Sequence, residues 1–221
     1  VLRLGADRKK TSVIYNGVDA DFFSPKDKEK CRDKLGLPKN QAIILSIRRL
    51  VYKNGLNTLI EAASHLIREY RDLLFILVGK GPDRRFIENR IREPSLSGRV
   101  KLAGFVPDEQ LPYYYNAADC FVIPSSSGEG LPMVLLEAMS CGLPVVSTIT
   151  GGTAEIIKEE KNGFLAPPRN SKALANAVSR AILQRSASSA ISRENRKTIE
   201  KDFTWYKNVR QLHEIYKEVL A

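Results

Sequence analysis

The stretch Ala42-Ile-Ile-Leu-Ser-Ile47, a glycine-bearing turn, and then Leu56 to Ile67 with apolar residues at Leu59, Ile60, Ala63, Leu66 and Ile67 set the pattern of this chain. A short apolar run closed by turn residues reads as a buried strand, and the spacing of the second segment reads as an amphipathic helix. The unit then recurs. Leu73 to Val78, Val100 to Leu102, Cys120 to Ile123, Val145-Val146 and Phe164-Leu165 are strand-like, and between them Arg84 to Arg92, Glu109 to Ala117, Met133 to Ser140 and Ala154 to Lys158 are helical. Six strands alternating with helices predict an α/β fold, a doubly wound parallel sheet covered on both faces. Its ligand site belongs at the carboxyl ends of the strands.

Working outward, the pattern after Pro167-Pro168 is helical only. Leu174, Ala177, Val178, Ala181 and Ile182 share a face, Ser186 to Ser192 reads as a connector, and Ser192 to Asp202 and Trp205 to Leu220 read as two further helices. In the last of these Trp205, Val209, Leu212, Tyr216, Val219 and Leu220 form one apolar stripe, with Phe203 and Trp205 expected to anchor its start. Before Ala42 only a weak strand signal (Ser12 to Tyr15), a turn at Asn16-Gly17 and a short helix at Lys28 to Leu35 stand out. With Val1 in place of an initiator Met, the start reads as cut from a longer chain.

Composition narrows the classes of function. Of the 221 residues 43% are hydrophobic and 27% charged, and no apolar run approaches the roughly 18 residues of a membrane-spanning helix. No secretory leader is recognisable, and Cys31, Cys120 and Cys141 are odd in number and far apart, which fits neither a disulfide framework nor a zinc site. A cytoplasmic setting is expected. The net charge of +10 divides into +4 over residues 1–40, 0 over 41–168 and +6 over 169–221. Solvated helix faces account for such an excess, with weak peripheral contact to a membrane surface as the alternative. No zinc-finger, RNP or basic-zipper pattern accompanies it, so nucleic acid is not an expected partner.

Chemistry concentrates in Ser125-Ser-Ser-Gly-Glu129-Gly-Leu-Pro-Met-Val-Leu-Leu-Glu137-Ala-Met-Ser-Cys-Gly-Leu-Pro-Val-Val146. The string follows a strand, crosses a loop of small residues and opens a helix at Pro132, whose missing N–H suits a first helical turn. The amides of Met133 and Val134 then point outward with the positive end of the helix dipole, an anion site suited to a diphosphate. Glu129 precedes the helix and Glu137 lies more than one turn inside it, so the carboxylates reach different parts of one elongated ligand, with sugar hydroxyls as natural partners. The competing assignment makes Glu129 a helix cap and Glu137 a surface residue.

Taken whole, Glu-x(7)-Glu followed by Ala-Met-Ser-Cys-Gly-Leu-Pro-Val-Val resembles the signature of retaining glycosyltransferases with two Rossmann-like domains (the GT-B fold), the glycogen-synthase-like and lipid-mannosyltransferase-like "glycosyl transferases group 1" family. Asn16-Gly-Val-Asp19, Val78-Gly-Lys-Gly-Pro82, Gly104-Phe-Val-Pro107, Leu111-Tyr-Tyr-Tyr-Asn-Ala-Ala-Asp119, Gly151-Gly152 with Glu155-Ile-Ile, Asn162-Gly163 and Phe203-Trp205 extend the resemblance over essentially the whole chain. It implies the C-terminal, donor-binding domain: residues 1–25 as the incoming linker from an N-terminal domain, 26–200 as the nucleotide-sugar-binding domain and 201–221 as a crossover helix.

The resemblance also implies roles at matching positions. Glu137 is expected to hold ribose hydroxyls, and Glu129 to contact the donor sugar beside Gly130. The amides of Leu131, Met133 and Val134 are expected to face sugar and phosphates, and the backbone at Val106 to meet the base. A basic pair after the first strand neutralises the departing diphosphate. Arg49 matches its first member, but counting back from Gly55 places Asn54 at the usual lysine, with Lys53 one residue early. No cofactor or metal is expected. Donor base and sugar stay open, and the glycan or lipid acceptor would be met through the N-terminal domain. Two other functions remain open: a nucleotide-sugar-binding module without transfer activity, and half of a UDP-sugar epimerase, although the latter would want more positioned acid and base groups. Several features are read as packing or turns: Tyr113-Tyr114-Tyr115 in a helix, Gly79-Lys-Gly81 as a tight turn without the third glycine of a dinucleotide loop, and His65 and His213 as structural residues.

Overall fold

The computed structural model describes residues 5–128, 130–183 and 185–220, of which 185–188 by their backbone alone. Strands β1 (Ala42–Ile47), β2 (Leu73–Val78), β3 (Val100–Gly104), β4 (Cys120–Ile123), β5 (Val145–Thr148) and β6 (Gly163–Ala166) form one parallel sheet in the order β3-β2-β1-β4-β5-β6. The chain builds outward from β1 in one direction, then returns to add β4 on the other side. The order reverses between β1 and β4, the place where a doubly wound sheet leaves a crevice at its carboxyl edge.

The apolar runs behave as buried parallel strands do. In β1, Ile43, Leu45 and Ile47 face one core and Ile44 the other; β2 divides likewise, with Leu74, Ile76 and Val78 against Leu73, Phe75 and Leu77. The first core is closed by α4 (Leu111–Ala117), α5 (Met133–Ser140) and α8 (Arg185–Asp202) through Tyr115, Leu135, Leu136, Met139 and Ile199. The second is closed by α2 (Leu56–Glu69), α3 (Arg84–Ile91) and α7 (Ser171–Leu183), whose Leu59, Ile60, Leu66, Leu174 and Val178 are buried. Only β3, at one edge of the sheet, alternates between buried and more exposed residues. A short α6 (Thr153–Ile156) follows β5, and α1 (Lys28–Leu35) ends in Gly36 at a left-handed φ of 62°.

Four expectations are corrected. Ser12 to Tyr15 forms no strand; the segment is extended, and pairing is confined to a bridge between Val18 and Thr204, with the Val18 N–H donating to Phe203 O at 2.8 Å. Asn16-Gly17 is no reversing turn. Gly17 is required because its chain crosses α9 (Trp205–Leu220) so closely that a Cβ would stand 2.4 Å from Trp205 N. The serine-rich connector at Ser186 to Ser192 is the first part of α8, since neither glycine nor proline interrupts it. Finally, α9 buries none of its own residues: Phe203 and the Asn208 side chain, whose Nδ2 donates to Tyr15 O at 2.7 Å, hold its start, while Trp205 is about half exposed. Among the described residues no helix is long and apolar enough to cross a membrane. The three cysteines are buried and unbridged, with burial pushing the Cys141 thiol up to about 12.

Candidate functional site

At the carboxyl ends of β1 and β4 an open cleft of about 510 Å³ is lined by Ile47, Arg48, Arg49, Lys53, Asn54, Gly128, Gly130, Leu131, Pro132 and Val134. One lip is the loop leaving β1, the other the loop leaving β4. They are held together by main-chain contact, because Ser126 N–H donates to Lys53 O at 2.9 Å and the Ser126 hydroxyl reaches the same oxygen at 3.0 Å. Gly55 permits the approach: its φ is 71°, and a Cβ there would lie 1.7 Å from Pro124 O. On its far side the β4 loop is fastened by Thr148, whose hydroxyl donates to Ser125 O at 2.7 Å, and by Gly152, whose N–H donates to Gly130 O at 3.2 Å.

Arg49 and Lys53 are exposed and both line the cleft, so two cations face it from the β1 lip. Asn54 is only 4% exposed, accepts from Arg48 Nη2 at 3.3 Å and donates through Nδ2 to Arg49 O at 2.7 Å. It braces the loop from within, so the lysine one residue early is the one that presents charge.

Opposite the cations stands the start of α5. Pro132 proves to be its N-cap, extended at ψ 127°, rather than its first helical residue, and no side chain among the described residues caps the helix there. The first-turn amides of Met133 and Val134 therefore have no intrahelical acceptor. The helix ends at Ser140 with Cys141 as its C-cap; the chain then turns at Gly142, φ 73°, and Leu143 N–H donates to Ala138 O at 3.0 Å, closing the last turn before Pro144 leads into β5.

Glu137 is in the second turn of α5, outside the cleft lining, and is not a surface residue paired with a neighbouring base. Its Oε2 accepts from the Tyr115 hydroxyl at 2.6 Å. Burial holds its carboxyl above the ordinary glutamate range, the Tyr115 hydrogen bond works against that rise, and Asp108 adds to it. Asp108 sits two residues after Val106, past the loop leaving β3, and its charge reaches the Glu137 carboxyl from there. Val106 itself buries its side chain in the α4–α5 core beside that loop. Of the residues singled out in the sequence, Arg49, Lys53, Gly130, Leu131 and Val134 are thus brought into one cleft; Met133, Glu137 and Val106 follow beyond it, and Glu129 lies outside the described residues. Sequence reading missed Tyr115 as a partner of Glu137.

The tyrosine triplet is otherwise packing. Tyr115 is fully buried against Phe23 and Phe121, and Tyr113 lies under Lys34 Nζ at 3.6 Å. Gly79 and Gly81 are close-approach positions, where a Cβ would meet Arg48 O at 1.9 Å and Leu50 O at 2.3 Å. His65 and His213 are exposed and far apart in the chain, and among the described residues no three His, Cys, Asp or Glu side chains gather as a metal site.

Residues 27–198 match the protein family described as Glycosyl transferases group 1. The chain belongs to that family. Among its family relatives, the amylovoran biosynthesis glycosyltransferase AmsK of Erwinia amylovora is 32% identical over 224 residues, covering 99% of this chain and 53% of AmsK. HepE from Anabaena, solved in complex with UDP, superposes with a TM-score of 0.90 at 28% identity over 98% of this chain and 60% of HepE. Sucrose-phosphate synthase from Thermosynechococcus elongatus gives 0.86 at 30% identity over 95% of this chain and 53% of that one. The chain spans about half the length of the curated relatives it matches, 49% and 53% for two of them. The fold is the Rossmann-like half of a GT-B glycosyltransferase.

Proposed function

We propose that this chain is the donor-binding domain of a retaining glycosyltransferase that moves a hexosyl group from a nucleoside-diphosphate sugar to an acceptor hydroxyl. The observation that carries the reading is the cleft at the β1–β4 junction, where Arg49 and Lys53 face the uncapped start of α5 and Glu137 stands one turn deeper. That sequence of groups suits an extended ligand. The base would lie by Val106 and the ribose at Glu137; the diphosphate would sit at the amides of Met133 and Val134, and the sugar by Leu131, Gly130 and Glu129. HepE, solved with UDP and with UDP-glucose, supports a nucleotide sugar as the ligand class.

The chemistry follows from charge. When the sugar leaves, negative charge grows on the distal phosphate. Arg49, Lys53 and the helix amides would receive it already oriented, which is worth several kcal/mol in comparable sites and calls for no metal ion. The retaining course comes from the resemblance of the Glu-x(7)-Glu string. Acceptor recognition, whether of glycan or lipid, would belong to an N-terminal domain joined through residues 1–25, so this chain alone would bind donor without efficient transfer. Chemical-shift mapping with UDP, GDP and ADP tests the reading. Shifts at residues 130–137 and 49–54 are expected with one of them at micromolar to millimolar affinity. Shifts confined to residues 169–221 would remove the assignment.

A further inference from the structure

We propose that Tyr115 is a positioning residue for this nucleotide site: its hydroxyl holds one carboxylate oxygen of Glu137 and so fixes the direction in which that group meets the ligand. The inference rests on reading Glu137 as the ribose partner.

The Tyr115 ring has no freedom to redirect its hydroxyl. It is fully buried on α4, with Phe23 edge-on at 5.8 Å and 78° and Phe121 at 5.3 Å and 63°. From that socket the hydroxyl meets Glu137 Oε2 at 2.6 Å, within the range of hydrogen bonds to a charged acceptor. It acts as donor throughout, because burial and the neighbouring carboxylate push its own ionisation well above the ordinary tyrosine value. Arg48 acts on the same hydroxyl in the opposite sense and does not reverse this.

The surroundings of Glu137 explain why a donor is needed. Burial and Asp108, in the turn before α4, both favour its protonated form. Cys141, one turn further along α5, is a neutral thiol whose ionisation lies near 12. Tyr115 is the influence that favours the carboxylate. Protonated, Glu137 would compete as a donor with the ribose hydroxyls; ionised, it accepts from them. With Oε2 engaged by Tyr115, Oε1 has a defined direction. Holding a group in one rotamer through a buried neighbour is how a site gains affinity without a further ligand contact.

The test compares Tyr115→Phe, which keeps the ring and deletes the donor, with Val178→Ala, which loosens the core on the other face of the sheet and leaves the Tyr115 socket intact. Two quantities are read: the Glu137 carboxyl titration by carbon NMR, assigned with Glu137→Gln, and UDP affinity across pH. In Tyr115→Phe the titration midpoint should move to higher pH and UDP binding near neutrality should weaken about tenfold, with the gap narrowing in alkali. Val178→Ala should lower the melting temperature and move neither. An unchanged midpoint and affinity in Tyr115→Phe, or equal shifts in both variants, overturns the proposal. Should the unmodified chain fail to bind UDP, the ribose reading falls separately, and an unmoved carboxyl midpoint would still overturn the role of Tyr115.

Discussion

Replacing Gly55 by alanine should damage stability and nucleotide binding together, although the residue has no side chain to offer a ligand. Two costs arise. Its φ of 71° is strained for any residue with a Cβ, by about 1–2 kcal/mol. The added carbon would also stand 1.7 Å from Pro124 O, and because the neighbour is backbone, no rotamer change relieves it. Ordinary carbon–oxygen contact begins at about 3.3 Å, so the two lips must part by about 1.5 Å. Overpacking of that kind costs about 1–3 kcal/mol, and the stiffer unfolded chain returns only about 0.4–1 kcal/mol. A net loss of about 3 kcal/mol lowers the melting temperature by about 6–12 °C in a chain of this size. Gly36→Ala supplies the internal control, since Gly36 has a similar φ of 62° and nothing within 4 Å of its Cβ position. It should lose only about 1 kcal/mol, through backbone strain. Thermal melts and UDP calorimetry on both variants decide the matter. Gly55→Ala should weaken UDP about tenfold by moving Lys53, and Gly36→Ala should leave affinity unchanged. Equal melting losses, or unaltered UDP affinity in Gly55→Ala, would refute the account of how the cleft is held.

Arg49→Ala should weaken UDP by about 1–3 kcal/mol and UMP much less, measured by calorimetry, if its charge meets the distal phosphate. Asn54→Lys should lower the melting temperature instead of strengthening diphosphate binding, because both ends of the buried amide are engaged by Arg48 and the Arg49 carbonyl. Glu137→Gln should change the slope of stability against pH. The folded-state value of Glu137 is raised, so the native protein holds its proton longer than the unfolded chain and loses stability as pH climbs from the ordinary glutamate range through the raised value. Urea melts of both proteins at about pH 4 and about pH 8 should show the glutamine form gaining relative to the parent at the higher pH while its UDP affinity falls.

The strands were the most legible part of the chain because most of them, β1, β2 and β4 above all, are short, largely apolar runs buried on both faces. The limits read for β1, β2 and β4 coincide with the observed ones. Less legible were features set by contacts distant in the chain. Ser12 to Tyr15 carries a weak β-prone signal, yet it pairs with no strand of the sheet, and the segment lies along α9 instead. In the site, the start of α5 could be read from the loop-then-helix pattern, and Arg49 from the family resemblance. Register alone could not choose between Lys53 and Asn54, since that depends on which side chain the loop turns inward. The Tyr115–Glu137 pair was beyond sequence reading altogether: the residues are 22 apart on different helices, and either one alone looks like ordinary packing or ordinary surface.

The lips of the cleft come from segments separated by the whole of β2, β3 and the helices between them; the Ser126–Lys53 contact spans 73 residues. While the chain is growing or refolding, β1 and β2 can zip together early, but the pocket does not exist until β4 inserts on the opposite flank of β1. Closing so long a loop is slow. Nucleotide should therefore leave the early folding steps untouched and act only as a brake on unfolding, adding RT ln(1 + [L]/Kd) to the finished state.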